Sequence, residues 1–244
     1  MCGVTSGPAT VDGKLTLLKD SALIAAFGTG NSRLTVDGNV AVGNGATLIL
    51  GCIPTSFPCF DDNPSAPTLS SHGSIDGRLT ADQPLGVIVH NSSLQGGVSE
   101  TGGGGGVTCN PTGIFAFFGS PAYSDYEDNS IEGNVTVSNL RSCWLGLARN
   151  RVEGSITLNN NRLADPDAVE ILSNTISGNL TCRGNVTGPD SFGILHDVWD
   201  SVDLSHDIWP RGQTPNTVGG KRVGQCNRLQ DPSSQFGARG PLKF

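Results

Sequence analysis

One phrase, "NSIEGNVTVSNL" at residues 129–140, is rewritten along the whole chain, and that repetition constrains the fold more than any other feature. Aligned on its glycine, the copies read "TVDGKLTL" at Gly13, "TVDGNVAV" at Gly38, "SIDGRLTA" at Gly77 and "SLQGGVSE" at Gly96. They continue with "SIEGNVTV" at Gly133, "RVEGSITL" at Gly154, "TISGNLTC" at Gly178 and a degenerate "TVGGKRVG" at Gly220. An aliphatic residue two before the glycine, usually one two after and often one four after give a period of two. Each copy is therefore a short strand with one inward face.

The glycines are separated by 25, 39, 19, 37, 21, 24 and 42 residues. Four intervals are single steps and three are nearly double, which predicts diverged copies near residues 57, 115 and 199 and about eleven coils in all. Short strands, little helical periodicity and a step of about 22 residues fit a solenoid of strands stacked in parallel. Leucine-rich repeats share the step, but their Leu-x-x-Leu-x-Leu frame is missing. The prediction is an all-β chain, a single right-handed parallel β-helix over residues 1–228. Irregular excursions fall near 52–70, 100–125 and 188–215, followed by a C-terminal tail at 229–244. At about 4.8 Å per stacked strand, eleven coils would make a rod about 50 Å long.

The register predicts a core. Val36, Val40, Ile75, Leu79, Ile131, Val135, Val152, Ile156, Ile176 and Leu180 should point inward in columns. Four positions before the glycine stand Asn129, Asn150, Asn174 and Asn216, which should lie over one another at a turn and hydrogen-bond along the rod.

Charge narrows the partners. Lys plus Arg number 15 against 22 acids, a net charge of −7, and no stretch concentrates the basic residues, so a nucleic-acid-tracking surface is not expected. No apolar run approaches the length of a spanning helix, so no membrane span is expected. Seven cysteines, none in a C-x-x-C pair, point to disulfides in an oxidising compartment, with the odd count leaving at least one thiol unpaired or shared. The expected location is secreted, with Met1 standing in place of a removed signal peptide.

The "GN(V/L)TV" copies, the asparagine column and the closing "SGNLTC…TPNTVGGKRVGQC" resemble the secreted right-handed β-helix proteins of actinobacteria, broadly of the pectin-lyase-like superfamily. The resemblance spans roughly residues 2–228 and its motifs are structural. It implies the fold and export. That superfamily includes polysaccharide lyases and glycosidases as well as inert rods, so the resemblance leaves enzyme activity open.

Chemistry is sought where polar residues share a register. Five before the glycine stand His72, Asn91, Asp128, Arg149 and Ser173, and six before stand His90 and Glu127. Asp128 and Arg149 belong to adjacent coils and should form a salt bridge. Around them "SPAYSDYEDN" supplies Tyr123, Asp125, Tyr126, Glu127 and Asp128. Acids for proton transfer, a cation for uronates and rings for sugar faces are what a glycan cleft uses. The expectation is a lateral groove with Asp125, Glu127, Asp128 and Arg149 as its chemistry and His90, Tyr123 and Tyr126 as ligand contacts. Arg149→Ala should then spare the melting temperature. The same residues also read as a solvated turn with an ion pair of little energetic value.

"LADPDAVE" holds Asp165, Asp167 and Glu170, three carboxylates that could bind Ca²⁺ or form an ordinary Asp-Pro turn. The segment "GILHDVWDSVDLSHDIWPRG" interrupts the repeat and carries His196, His206 and several Asp with Trp199 and Trp209, read as a metal site of two His and two Asp, as an aromatic clamp, or as a cover for the end of the solenoid. Gly102–Gly106 lack the context of a phosphate loop and read as a flexible excursion. Signatures of serine, zinc-protease or cysteine-nucleophile catalysis are absent. The leading reading is an extracellular rod binding or organising a polysaccharide or cell-wall polymer; a polysaccharide lyase or glycoside hydrolase is the alternative, and an inert scaffold the third.

Overall fold

A computed structural model of the protein describes residues 1–27, 30–51, 73–165, 168–188 and 216–227. The chain visits three long sheets in turn. The first contains Ala22–Ala25, Thr47–Leu50, Gly86–His90, Tyr123–Glu127, Trp144–Ala148 and Val169–Leu172, with Cys2–Gly3 at its edge. The second runs from Pro8–Val11 to Thr217–Val218, and the third from Leu15–Leu17 to Arg222–Gly224. A short fourth sheet joins Arg141–Ser142, Arg162–Leu163 and Val186–Thr187. Every pairing within these four sheets is parallel, and each strand bonds to its counterpart one repeat away, consistent with a parallel β-solenoid.

The repeat glycine sits at the corner between the second and third sheets, and its need is close approach. A Cβ on Gly154 would lie 2.7 Å from the carbonyl carbon of Gly133, and one on Gly38 would lie 2.8 Å from that of Gly13. Any side chain there would push the coils apart, so glycine recurs once per turn.

The aliphatic residues flanking that glycine stack as expected. Val36 pairs with Ile75, Ile75 with Leu94, Leu94 with Ile131, Ile131 with Val152 and Val152 with Ile176. Val40, Leu79, Val98, Val135, Ile156 and Leu180 form the facing column. All ten predicted core residues are buried.

The expected hidden copies do not appear as strands of the second and third sheets among the described residues. Across the three long intervals the flanking strands pair directly: Leu34 with Gly73, Ser93 with Ser130, and Thr175 with Thr217. In the second sheet these strands are direct neighbours. The second and third sheets each hold eight strands among the described residues. The extra length at residue 115 is an insertion between the third and first sheets, and it carries a five-residue helix, Gly113–Phe117. A doubled interval in a solenoid can mean a missed coil or a long turn, and spacing alone does not separate the two. The excursions near 57 and 199, with the 229–244 tail, lie outside the described residues.

The asparagine column is a hydrogen-bonded ladder. The Nδ2 of Asn129 donates to Oδ1 of Asn150 at 3.0 Å, Asn150 to Asn174 at 2.9 Å and Asn174 to Asn216 at 2.8 Å. Each of those Oδ1 atoms also accepts the backbone N–H of the asparagine one coil earlier. The second Nδ2 proton of Asn150 goes to the Tyr126 carbonyl at 2.7 Å. The preceding residues Asp128, Arg149 and Ser173 have φ of 54°, 52° and 55°, a left-handed corner that turns the chain and aims the amide inward. A second ladder, Asn161 to Asn185 to Gln225, lines another corner.

Among the described residues two disulfides are present, Cys109–Cys143 and Cys182–Cys226, while Cys2 is exposed. The first ties the insertion to the following coil. Cys52 and Cys59 lie outside the described residues.

Asn150 accepts two hydrogen bonds and donates two while buried, so Asn150→Ala strands partners on both sides. A loss of about 3 kcal/mol is expected, read as a lower urea midpoint, with Asn150→Asp failing to restore it because it lacks the donors.

Candidate functional site

The strand Tyr123–Glu127 has five consecutive buried residues, although strand alternation sends them to opposite faces. Ser124 and Tyr126 point into the solenoid, where their hydroxyls donate to the Glu100 carboxylate at 2.6 and 2.7 Å. Glu100 itself pairs with Ala81 and Val137 in an inward column of the third sheet. Tyr123, Asp125 and Glu127 therefore face outward.

On that outer face a charged cluster assembles from neighbouring coils. His90 stands in register with Glu127, and Ile88 with Asp125. The His90 Nε2 meets the Glu127 carboxylate and lies 3.7 Å from Asp125 Oδ2. Arg149 contacts the other Glu127 oxygen and grips Asp128 through Nε at 3.1 and 3.2 Å and Nη2 at 3.1 Å. The side chains of His90, Asp125 and Glu127 are 3–5% exposed, and those of Arg149 and Asp128 are 13% and 10% exposed. The cluster is a mostly buried network whose outermost members are Arg149 and Asp128.

The predicted neighbours Asp128 and Arg149 thus meet, joined by Glu127, Asp125 and His90. Tyr126 corrects the expectation: placed in the groove from sequence, it is fully buried on the inner face, because alternation separates it from Asp125 and Glu127. Tyr123 does share their face, packed edge-on against Trp144 with ring centroids 5.8 Å apart. Trp199 and Trp209 lie outside the described residues.

The acids proposed for Ca²⁺ are distributed differently. Asp165 accepts the Trp144 indole N–H at 3.1 Å, while Glu170 lies in the outward column of Asp125 with Gly146 between them. Asp167 lies outside the described residues. The donor set that does converge is His90, Asp125 and Glu127, with one ligating atom each inside 4.8 Å. One imidazole and two carboxylates suit a transition metal better than Ca²⁺, but Arg149 already neutralises part of Glu127. Asp165 also lies near Cys109 and Cys143, whose sulfurs are consumed in a disulfide.

Burial raises the Glu100 carboxyl from 4.5 to about 7 despite the opposing hydrogen bonds from Ser124 and Tyr126. Tyr126 is held well above its usual range by burial and then by the nearby Glu100 carboxylate. Tyr123 is raised by burial and then by Asp125. Glu100 was missed in the sequence although the signal was present: it occupies the inward position four after Gly96, where other copies carry Leu17, Val42, Val137 and Leu158.

No protein-family model, curated protein or solved structure matches the chain.

Two outcomes are expected. Because the folded Glu100 carboxyl titrates above its unfolded value, its favourable contribution is complete below about pH 4.5 and is lost as pH rises through about 7. Unfolding free energy should decline by about 3 kcal/mol across that window, and Glu100→Gln should flatten the decline in denaturant titrations. Arg149→Ala strips the cation from buried Glu127, so it should destabilise by about 3 kcal/mol instead of sparing the melting temperature.

Proposed function

We propose that this chain is an exported right-handed parallel β-helix of broadly pectin-lyase-like architecture that binds or organises an extracellular polysaccharide or cell-wall polymer. Right-handedness follows the general preference of parallel crossovers. Export is supported by the two disulfides, which persist in oxidising compartments.

The observation that carries the reading is the charged cluster on the outer face of the first sheet. A rod offers partners its faces and turns, and here one turn gathers Asp128 and Arg149 at the rim of His90, Asp125 and Glu127. Ionisable groups concentrated and desolvated at one place mark a candidate functional site. Arg149 is outnumbered by the two carboxylates it pairs, so the rim offers no free positive charge, which favours hydroxyl-rich neutral glycans over uronates.

A catalytic reading, polysaccharide lyase or glycoside hydrolase, is favoured by one specific feature: His90 bonded to Glu127 with Asp125 alongside, a pairing suited to proton transfer. Binding is preferred because both Glu127 oxygens are already engaged, one by His90 and the other by Arg149.

A panel of insoluble and soluble glycans, acidic and neutral, should retain the protein on neutral polymers and yield no new reducing ends or unsaturated products. Product formation abolished by His90→Ala would replace binding with catalysis, and retention by no polymer would sink both.

A further inference from the structure

The outward face of the third sheet is as regular as its core, and the charged cluster makes no use of it. Thr80, Ser99, Thr136, Thr157 and Thr181 pair one with the next through five successive coils. Their neighbours on either side in each strand, such as Val135 and Val137 around Thr136, are buried, so these hydroxyls point out. Two residues on, Thr101, Ser138 and Asn159 make a second rank, with Asp82 and Arg183 at its ends. All ten positions are exposed or half-buried.

Two ranks of short polar groups therefore run along the solenoid, about 4.8 Å apart between coils and about 7 Å apart across the strands. Threonine is stiff at χ1, so the first rank is pre-oriented. The corner beside it is pinned: Asn134 Oδ1 accepts the Ser155 N–H at 2.8 Å, and Ser155 Oγ accepts the Asn179 N–H at 2.9 Å. The face is held in register before any ligand arrives.

We propose that this face is a second binding surface, a rail for one extended, neutral, hydroxyl-rich glycan chain lying along the rod. The inference rests on the polymer-binding reading above and places a contact on a different sheet. The ranks carry no aromatic or large apolar side chain, so they lack the core of a protein interface. One acid and one Arg leave the face without net charge on a chain of net charge −7, so a polyanion has nothing to attract it. What remains is a periodic set of hydroxyls, amide and bidentate groups, matched to a polymer that repeats vicinal hydroxyls at about the strand spacing.

The test is retention on insoluble neutral glycans, comparing the unaltered protein with Thr136→Val/Thr157→Val, Thr136→Ser/Thr157→Ser and Arg149→Lys. Valine keeps the shape and strand preference of threonine and removes only the hydroxyls, so melting temperature serves as the folding control. The valine pair should weaken retention roughly tenfold while the serine pair stays close to the unaltered protein. Retention unchanged in the valine pair but lost in Arg149→Lys would overturn the rail and leave polymer binding at the charged cluster. Failure of the unaltered protein on every glycan would remove both proposals, and ice-crystal shaping without glycan retention would assign the hydroxyl ranks to ordered water instead.

Discussion

Each strand in this chain finds its hydrogen-bond partners one coil away, and the stack closes only because glycine permits the corners to touch. With Gly133 and Gly154 in backbone contact, the second and third sheets hold a constant spacing, so every inward side chain meets its counterpart. The aliphatic columns, the amide ladders and the flat outer ranks all inherit that spacing. A single bulky residue at a corner would disturb all of them at once, which is why the signature is more constant in glycine than in any aliphatic position.

This dependence explains what could be read in advance. Strand period, inward residues, the Asn129 to Asn216 ladder and the meeting of Asp128 with Arg149 all follow from counting offsets to the glycine. The second ladder, Asn161 and Asn185, obeys the same arithmetic at seven after Gly154 and Gly178, as does buried Glu100 at four after Gly96. Both were legible and went unread. Two things were not legible. The length of a turn does not announce whether a strand is hidden within it, and although alternation puts Tyr126 opposite Asp125 and Glu127, which of the two sides faces inward depended on where the strand after the insertion resumed.

The first sheet departs from the others. In the second and third sheets burial alternates along the strands, whereas Gly86–His90, Tyr123–Glu127 and Trp144–Ala148 are buried throughout. The charged network occupies the outer side of this doubly buried sheet, so its electrostatics operate with little screening by water. Arg149 serves there as counterion as much as ligand contact, and its removal cannot be read as a purely functional change. The strand Tyr123–Glu127 thus places a partnered acid on each side: Glu100 with two hydroxyls inside, and Glu127 with His90 and Arg149 outside.

The main amide ladder is confined to one half of the molecule. It begins where Ser92 donates its backbone N–H to Asn129, whereas Ala9, Leu34 and Gly73 stand at the equivalent positions of the earlier coils. The second ladder and both disulfides among the described residues also lie beyond residue 100. In a quasi-one-dimensional stack, where each coil is held by its neighbours alone, such asymmetry gives the molecule a polarity. Under heat, denaturant or tension the early coils are expected to peel before the later ones, as in a zipper with a free end and a riveted end.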